Sequence, residues 1–194
     1  MMSSKKILDI GCGRNKLKGA IGVDLLNFEG VDVVWDLNKF PYPFPDDEFD
    51  EIYCNHVLEH LDNVVATMKE LYRIGKDKCK IFIRVPHASC SFTTWSDPTH
   101  RRAFTSGSFN YFDSSCPLSY YAGINIKTKK ILLHYCLYGG RVNNKRVTKI
   151  PLFLANFIDL LANLNRTTQL IFERFLANFI GGFEEIYFEL EIIK

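Results

Sequence analysis

The sequence lacks several patterns that would place it in other classes of protein. None of the six cysteines belongs to a CxxC pair, so the sequence predicts no zinc or other metal site. Its net charge of +2 is too close to neutral to indicate a nucleic-acid partner. It contains no apolar run of the roughly 18–20 residues that a membrane-spanning helix needs. Because Met1–Lys6 is not apolar, we also expect no signal peptide, a cytoplasmic location and reduced cysteines.

The composition is that of a folded domain. Hydrophobic residues make up 47% and charged residues 24% of the chain, which provides enough apolar surface for a core. A length of 194 residues lies within the range of one domain. We therefore predict a single domain over residues 1–194.

Short apolar segments alternate with helix or loop segments in the first half of the chain. The predicted strands are Lys5–Ile10, Ile21–Val23, Val31–Trp35, Phe49–Cys54 and Cys79–Val85. A helix is expected from an Asp62 cap to about Ile74, where Gly75 stops it. Such alternation favours a mostly parallel sheet.

The second half has a different pattern. His87–Thr105 reads as a long ordered loop, Ile124–Leu137 as a strand and Phe183–Ile193 as the terminal strand. Between the last two lies an apolar helical insertion, Pro151–Ile180, interpreted as two amphipathic helices packed together. Asn156, Asp159 and Asn163 share one face of its first half.

Acidic residues and glycines follow the first three strands. Gly11, Cys12 and Gly13 stand where the first strand, which contains Asp9, must turn. Asp24 ends the second strand, where a carboxylate can accept hydrogen bonds from both ribose hydroxyls. Asp36 and Leu37 end the third strand, where the acid can meet an adenine amino group. The alternative for each acid is a helix cap or a turn.

These motifs together resemble a known family. LDIGCG, then GVD, then DLNKFPYPFPDDEFDEIYCNHVLEHL are similar to the class I S-adenosylmethionine (SAM)-dependent methyltransferases, especially the methyltransferase type 11 group. The resemblance implies a Rossmann-like α/β fold with a seven-stranded sheet. That sheet would be mostly parallel with an antiparallel terminal strand, and helices would cover both faces.

The resemblance also implies which residues hold SAM. The glycine turn, with Asp9, Gly11, Cys12 and Gly13, would bind its methionine end. Asp24 and Leu25 would bind ribose, and Asp36 and Leu37 would frame adenine. Asn55 and His56 would lie close to the cofactor after the fourth strand.

Two departures from the family pattern affect the first turn. Asn15 stands where many relatives have a third glycine, and only 15 positions separate Asp9 from Asp24. Lys16–Gly19 can therefore supply only about one turn in place of the first helix, which predicts a thinly covered face of the sheet. The dinucleotide pattern GxGxxG is absent as well, because position 16 is lysine, and this disfavours NAD.

The loop after the fifth strand is the expected acceptor site. Its DPTHRRAFT stretch is similar to one subgroup of these methyltransferases. His100 is the predicted general base and Asp97 its orienting partner, with His87 as a second candidate base. Arg101 and Arg102 would hold an anionic group and Trp95 would contact the acceptor. The alternative is that Asp97, Thr99 and His100 only pin the loop by hydrogen bonds, and we interpret His60 as structural.

The insertion and the segment before it suggest partners. No Asp or Glu occurs from Ser114 to Ile158, whereas that segment carries seven lysines and arginines. A basic patch beside an aromatic, amphipathic surface fits an anionic lipid surface or a lipid-linked phosphate. The alternative is a solvated hairpin beside a well-packed helix pair. The insertion could equally close over the substrate or pair with a second copy of the chain.

The sequence therefore predicts a SAM-dependent methyltransferase. We expect a small-molecule or glycan-type acceptor, with O-methylation ahead of N-methylation. One alternative is an RNA or protein methyltransferase, although no NPPY-type motif follows the fourth strand. The other is a non-catalytic subunit of the same fold that serves as a binding scaffold.

Overall fold

Seven strands form one mixed sheet in the computed structural model, which describes residues 5–135, 141–142, 145–146 and 152–194. The strands in chain order are β1 (Ile7–Ile10), β2 (Ile21–Asp24), β3 (Val33–Val34), β4 (Phe49–Asn55), β5 (Gly75–Pro86), β6 (Ile126–His134), the separate two-strand hairpin β7 (Arg141–Val142) and β8 (Lys145–Arg146), and β9 (Glu185–Ile192).

The order in the sheet is β3-β2-β1-β4-β5-β9-β6. The pairs from β3 to β5 are parallel, and β9 runs antiparallel to both of its neighbours. This confirms the predicted Rossmann-like, mostly parallel sheet with an antiparallel terminal strand. The sheet centre is apolar: Ile81 and Ile83 of β5 and Phe188 of β9 are fully buried. The ring of Phe109, from the loop before β6, packs edge-on against Phe188 at 4.7 Å.

The connections from β1 to β4 contain turns and no helix within the described chain. The predicted shortness of the first connection is thereby confirmed. The third strand is only two residues long, whereas Val31–Trp35 was expected, so that prediction was too long. β3 is the edge strand of the sheet, and Val34 is half-exposed there. Little apolar burial is therefore available to stabilise a longer strand.

Helix α1 (Val64–Ile74) joins β4 to β5. Its cap is Asn63, whose side chain accepts a hydrogen bond from the Ala66 N–H at 3.0 Å, so the expected Asp62 cap was wrong by one residue. The helix ends at Gly75 as predicted. A Cβ at Gly75 would lie 2.5 Å from Ile192 Cδ1 and 3.0 Å from the Leu71 carbonyl oxygen, so a larger residue would have to displace its neighbours.

The segment after β5 is more structured than the loop predicted for residues 87–105. It contains helix α2 (Ser91–Trp95). Two 3₁₀ turns follow before β6, Asn110–Phe112 and Ser119–Tyr121. The predicted end of the sixth strand at Leu137 lies outside the described residues.

The helical insertion lies beside β6. It comprises α3 (Leu152–Ala162), α4 (Arg166–Ile171), a π-helical turn (Phe172–Leu176) and α5 (Ala177–Ile180). Its polar side chains reach the outer edge of β6, where Asp159 accepts from the Tyr135 N–H at 2.7 Å. Gln169 donates to the Ile131 carbonyl, also at 2.7 Å. The insertion thus covers the edge strand that ends the sheet. Among the described residues no helix is both long and apolar enough to traverse a membrane.

Candidate functional site

In the glycine turn after β1, Gly11 is packed against a neighbouring side chain, whereas Gly13 has open space beside it. Gly11 and Gly13 adopt φ values of +65° and +52°, which favour glycine. A Cβ at Gly11 would lie 2.5 Å from Val57, whereas one at Gly13 would meet no atom within 4 Å. The backbone at Gly13 therefore faces open space, into which a ligand can approach the main chain.

Asp24 is tied directly to this turn. Its Oδ2 accepts from the Gly13 N–H at 2.8 Å and its Oδ1 from the Leu26 N–H at 3.1 Å. Each carboxylate oxygen retains a free lone pair for a further donor. Leu25, the next residue, is 62% exposed and offers an apolar surface at the same edge. The structure thus brings together the predicted glycine turn and the predicted ribose acid.

Asp9, near the end of β1, and Cys12, within the turn, are both buried. Burial raises the pKa of Asp9, against the opposing effect of the hydrogen bond from the Leu17 N–H. That hydrogen bond, at 2.8 Å, holds the segment that replaces the usual first helix. Burial, together with the charges of Asp9 and Asp24, raises the pKa of Cys12 to about 11, so Cys12 is a neutral thiol.

Asp36 and Leu37 follow β3. Asp36 accepts from the Asn38 N–H at 3.0 Å through Oδ1, as in an Asx turn. The Leu37 side chain is buried, and its carbonyl accepts from the Tyr42 hydroxyl at 3.0 Å. Leu37 therefore belongs to the core, while Asp36 is the polar group of this pair.

Asn55 and His56 end β4, where Asn55 is exposed. The His56 backbone has φ +50°, and its Nε2 lies 2.9 Å from Glu185 Oε2. Burial alone would lower the pKa of His56, but the hydrogen bond to Glu185 and the nearby Glu59 carboxylate raise it to about 9. His56 is thus an imidazolium at neutral pH, beside the end of the central strand.

His100 is held by the backbone of α2. Its Nδ1 lies 2.7 Å from the Thr94 carbonyl, which can only accept, so Nδ1 carries a proton, and in the neutral ring Nε2 holds the lone pair. Asp97 Oδ2 lies 3.9 Å from that Nε2, too far for a hydrogen bond. The Thr94 carbonyl, rather than Asp97, therefore orients the ring.

His60 stands beside His100, with ring centroids 4.7 Å apart in an edge-on arrangement. Its Nδ1 lies 2.9 Å from Thr99 Oγ1, and that hydroxyl donates to Asp97 Oδ1 at 2.6 Å. His60 Nδ1 must then be the donor, which in the neutral ring leaves the lone pair on Nε2. The sequence led us to interpret His60 as structural. Its position beside His100 could not be seen there, because the two residues are 40 positions apart and only the fold brings them together.

Glu59 is the second residue that the sequence did not single out. Its side chain is 1% exposed, and neither carboxylate oxygen has a hydrogen-bond partner among the described residues. The closest charged group is His56, whose Nδ1 lies 3.4 Å from Oε1. The only sequence signal is its place in HVLEHL, which does not reveal burial.

His87 has a different environment from His60 and His100. It is buried, its Nδ1 accepts from the Ser89 N–H at 3.1 Å, and its Nε2 lies 3.1 Å from Glu173 of the π-helical turn. Both ring nitrogens are therefore engaged within the protein. This geometry favours a structural link between the end of β5 and the insertion.

The predicted acceptor-binding residues divide into two kinds. Arg102 donates to the carbonyls of Leu61 and Asp62 at 2.6 and 2.9 Å, so it holds the turn after β4. Arg101 forms an exposed ion pair with Asp62 at 2.7 Å, and Trp95 is 57% exposed. Arg101 and Trp95 are the two that remain available to a ligand.

The sheet order, the open glycine turn and the acid at the end of β2 define a class I methyltransferase fold. The methyltransferase domain family matches residues 2–115, more than half of the chain. The chain therefore belongs to this family of enzymes, whose cofactor is SAM. The match thus confirms the resemblance to the class I SAM-dependent methyltransferases.

One curated relative and two solved structures illustrate the similarity. The bifunctional methionine biosynthesis protein MetXA/MetW of Rhodopirellula baltica is 29% identical over a match covering 38% of this chain. The match covers 16% of that protein, so the chain spans about a sixth of its relative's length. A SAM-dependent methyltransferase from Archaeoglobus fulgidus has a TM-score of 0.60 at 20% identity, covering 97% of this chain and 86% of its own. YcgJ of Bacillus subtilis has a TM-score of 0.56 at 17% identity, covering 98% and 92%.

Proposed function

We propose that this protein transfers a methyl group from SAM to a hydroxyl of a small-molecule or glycan-type acceptor. The observation that carries the proposal is the direct link between Gly13 and Asp24. It joins the open backbone at Gly13 to a carboxylate at the carboxyl end of β2. The pair His60 and His100 supports the acceptor chemistry.

The residues at the glycine turn fit the cofactor. Asp24 would accept hydrogen bonds from ribose hydroxyls with the lone pairs that Gly13 and Leu26 leave free. The exposed Leu25 would cover an apolar face, and Asp36 would meet the adenine amino group. When bound, SAM supplies an electrophilic methyl group. A helix N-terminus stabilises a bound phosphate, and SAM carries none. The absence of a first helix should therefore weaken SAM binding less than it would weaken dinucleotide binding.

The histidine pair favours an acceptor that must lose a proton. A hydroxyl is a weak nucleophile until a base or a charge assists its deprotonation. In the neutral form of each ring, the Nδ1 contacts of His100 and His60 leave Nε2 as the proton acceptor. The exposed Trp95 offers an aromatic surface of the kind that packs against a sugar or small ring, and Arg101 can pair with an anionic substituent.

The first test is calorimetric titration with SAM and S-adenosylhomocysteine, with NAD as the competing cofactor. We expect saturable binding of the SAM pair and none of NAD. Asp24→Ala should weaken binding at least tenfold, because it removes a charge-assisted acceptor. Asp46→Ala, at an exposed carboxylate paired with Arg73, is the matched control and should bind as the parent does.

Acceptor screening then tests the reaction itself. His100→Ala should abolish methyl transfer to hydroxyl acceptors while SAM affinity is unchanged. Absence of SAM binding by the parent protein would overturn the proposal. Transfer only to RNA or protein would replace the acceptor class, and SAM binding without transfer to any acceptor would indicate a scaffold.

A further inference from the structure

Three side chains with metal-ligating atoms converge beside the proposed site. One potential ligand atom from each of Glu59, His60 and His100 lies within 4.8 Å of the others. Glu59 and His60 belong to the turn after β4, and His100 to the loop after α2. The Arg101 N–H donates to the Glu59 carbonyl at 2.8 Å, which fixes the two segments together.

Both imidazoles are oriented in the way that metal-binding histidines are. His60 donates through Nδ1 to Thr99, which in turn donates to the Asp97 carboxylate. His100 donates through Nδ1 to the Thr94 carbonyl. Metal-bound histidines characteristically use their second nitrogen for such a carboxylate or carbonyl contact. In the neutral form of each ring, Nε2 is the nitrogen left for a cation.

Glu59 supplies a second, independent indication. A carboxylate that is 1% exposed with no hydrogen bond to either oxygen is costly to bury. His56 lies 3.4 Å from Oε1 and offsets part of that cost, but the described chain offers Oε2 no partner. Asp97, 3.9 Å from His100 Nε2, adds further negative charge. A bound cation would satisfy these oxygens.

We propose that Glu59, His60 and His100 bind one divalent transition-metal cation. Two imidazoles and one carboxylate favour Mn²⁺, Co²⁺ or Zn²⁺ over Ca²⁺, which prefers oxygen ligands alone. Three protein ligands leave coordination positions open, as catalytic sites do. This departs from the prediction of no metal site, which rested on the cysteines.

The role of the cation rests on the proposed function, whereas its binding does not. A coordinated acceptor hydroxyl would have a lowered pKa and would release its proton to water. Its oxygen would then bond to the methyl carbon as the sulfonium carbon–sulfur bond breaks, with the electron pair going to sulfur. His100 would then activate the hydroxyl by holding the cation rather than by taking the proton.

The test is a Co²⁺ titration of chelator-treated, tag-free protein, followed by visible absorption and calorimetry without SAM or acceptor. We expect one saturable site, with affinity reduced at least tenfold in Glu59→Gln and His100→Ala. His134→Ala removes a histidine 3.6 Å from Asp159 and should bind Co²⁺ as the parent does. Should Glu59→Gln fail to fold, His60→Gln, at a partly exposed position, takes its place.

The outcomes separate the two proposals. No saturable binding, or equal binding by all variants, overturns the metal site and leaves SAM binding untouched. Full methyl transfer by metal-free protein overturns the catalytic role. Co²⁺ binding without SAM binding upholds the site and overturns the proposed function.

A second inference concerns the outer surface of the insertion. Large apolar side chains are exposed on α3, in the turn that follows it, and again from the π-helical turn into α5. They are Phe153, Phe157, Leu160, Leu164, Phe175 and Phe179, and Phe179 is 86% exposed. The polar side chains Asp159 and Asn163 bond to β6, so the apolar side chains are left for another partner.

We infer that this surface binds an anionic membrane interface. Charge complementarity selects that occupant, because the chain has no acidic residue from Ser114 to Ile158. Lys127 and Lys130 of β6 are exposed within that segment. Amphipathic helices with large apolar residues insert at the interface, and neighbouring basic residues attract anionic lipids.

The test is sedimentation with two kinds of vesicle, at low and high salt. One kind is phosphatidylcholine alone, and in the other about one third of the lipid is phosphatidylglycerol. We expect binding to the anionic vesicles that weakens with salt and falls at least fivefold in a Phe157→Ser/Phe179→Ser variant. Phe92→Ser, at an exposed aromatic residue of α2, is the control and should bind as the parent does. Absence of vesicle binding, or a dimer in solution that the double variant dissociates, would overturn the inference.

Discussion

The side chain of Asn163 pairs with both backbone groups of Leu133. Its carbonyl oxygen accepts the Leu133 N–H and its amide donates to the Leu133 carbonyl, each at 2.8 Å. An amide side chain therefore imitates a neighbouring strand at the outer edge of β6. Edge strands with unpaired backbone groups invite association with other chains, so this contact also protects the sheet.

Replacement of Asn163 should destabilise the fold without changing the cofactor site. Asn163→Ala removes both hydrogen bonds to the Leu133 backbone, and we expect it to lower the free energy of unfolding by about 2 kcal/mol. Urea unfolding measures the loss, and SAM titration should show unchanged affinity. Asn178→Ala, the same change at an exposed position of α5, should shift stability by less than about 0.5 kcal/mol. Equal effects of the two variants would contradict the edge-pairing role.

Alanine at the two glycines of the first turn should have separable effects. Gly11→Ala places a Cβ 2.5 Å from Val57 at a φ of +65°, so both a clash and backbone strain oppose it. We expect a loss of at least ~2 kcal/mol in the free energy of unfolding. Gly13→Ala faces open space and should cost only about 1 kcal/mol of strain. The added methyl group of Gly13→Ala should instead reduce SAM affinity. Urea unfolding measures the loss of stability and calorimetry measures the loss of SAM affinity in each variant.

The residues that form the proposed cofactor side of the site could be brought together from the sequence because its parts are local. Gly13 and Asp24 each follow a strand, and parallel strands place such residues at one edge. The missing first helix was equally visible, as a count of residues between Asp9 and Asp24. Chain order and spacing were sufficient there.

The acceptor side could not be predicted in the same way. His60 and His100 meet only because the turn after β4 and the loop after α2 fold together. The isolation of the Glu59 carboxylate and the engagement of both His87 nitrogens depend on burial and on partners distant in sequence. The use of Asn163 as a strand mimic likewise requires knowing which strand forms the sheet edge.

Trp95 should affect acceptor binding rather than the cofactor. If its exposed ring packs against the acceptor, Trp95→Ala raises the acceptor KM about tenfold while kcat and the Kd for SAM stay within about twofold. Steady-state kinetics with the best acceptor from the screen measures this. Phe92→Ala is closely matched, since Phe92 lies on the same helix and is also 57% exposed. A similar loss in both variants would point to α2 stability instead of acceptor contact.

Glu173 should make the protein sensitive to acid. Burial would raise the pKa of this carboxyl, but hydrogen bonds from His87 and Ser106 outweigh it and lower the pKa to about 2. A folded-state pKa below the ordinary 4.5 gives stability that is complete above about pH 4.5 and is lost as the pH falls toward 2. Glu173→Gln should therefore cost on the order of 3 kcal/mol at pH 7, and less and less below pH 4.5.

Urea unfolding of parent and variant at pH 7, 4 and 3 measures that difference directly. The two stabilities should converge at low pH, because protonation of Glu173 in the parent removes the same charge that glutamine lacks. Glu29→Gln, at an exposed carboxyl, corrects for general charge effects and should show a small difference at every pH. A gap between Glu173→Gln and the parent that stays constant from pH 7 to pH 3 would show that shape, rather than charge, links the insertion to His87.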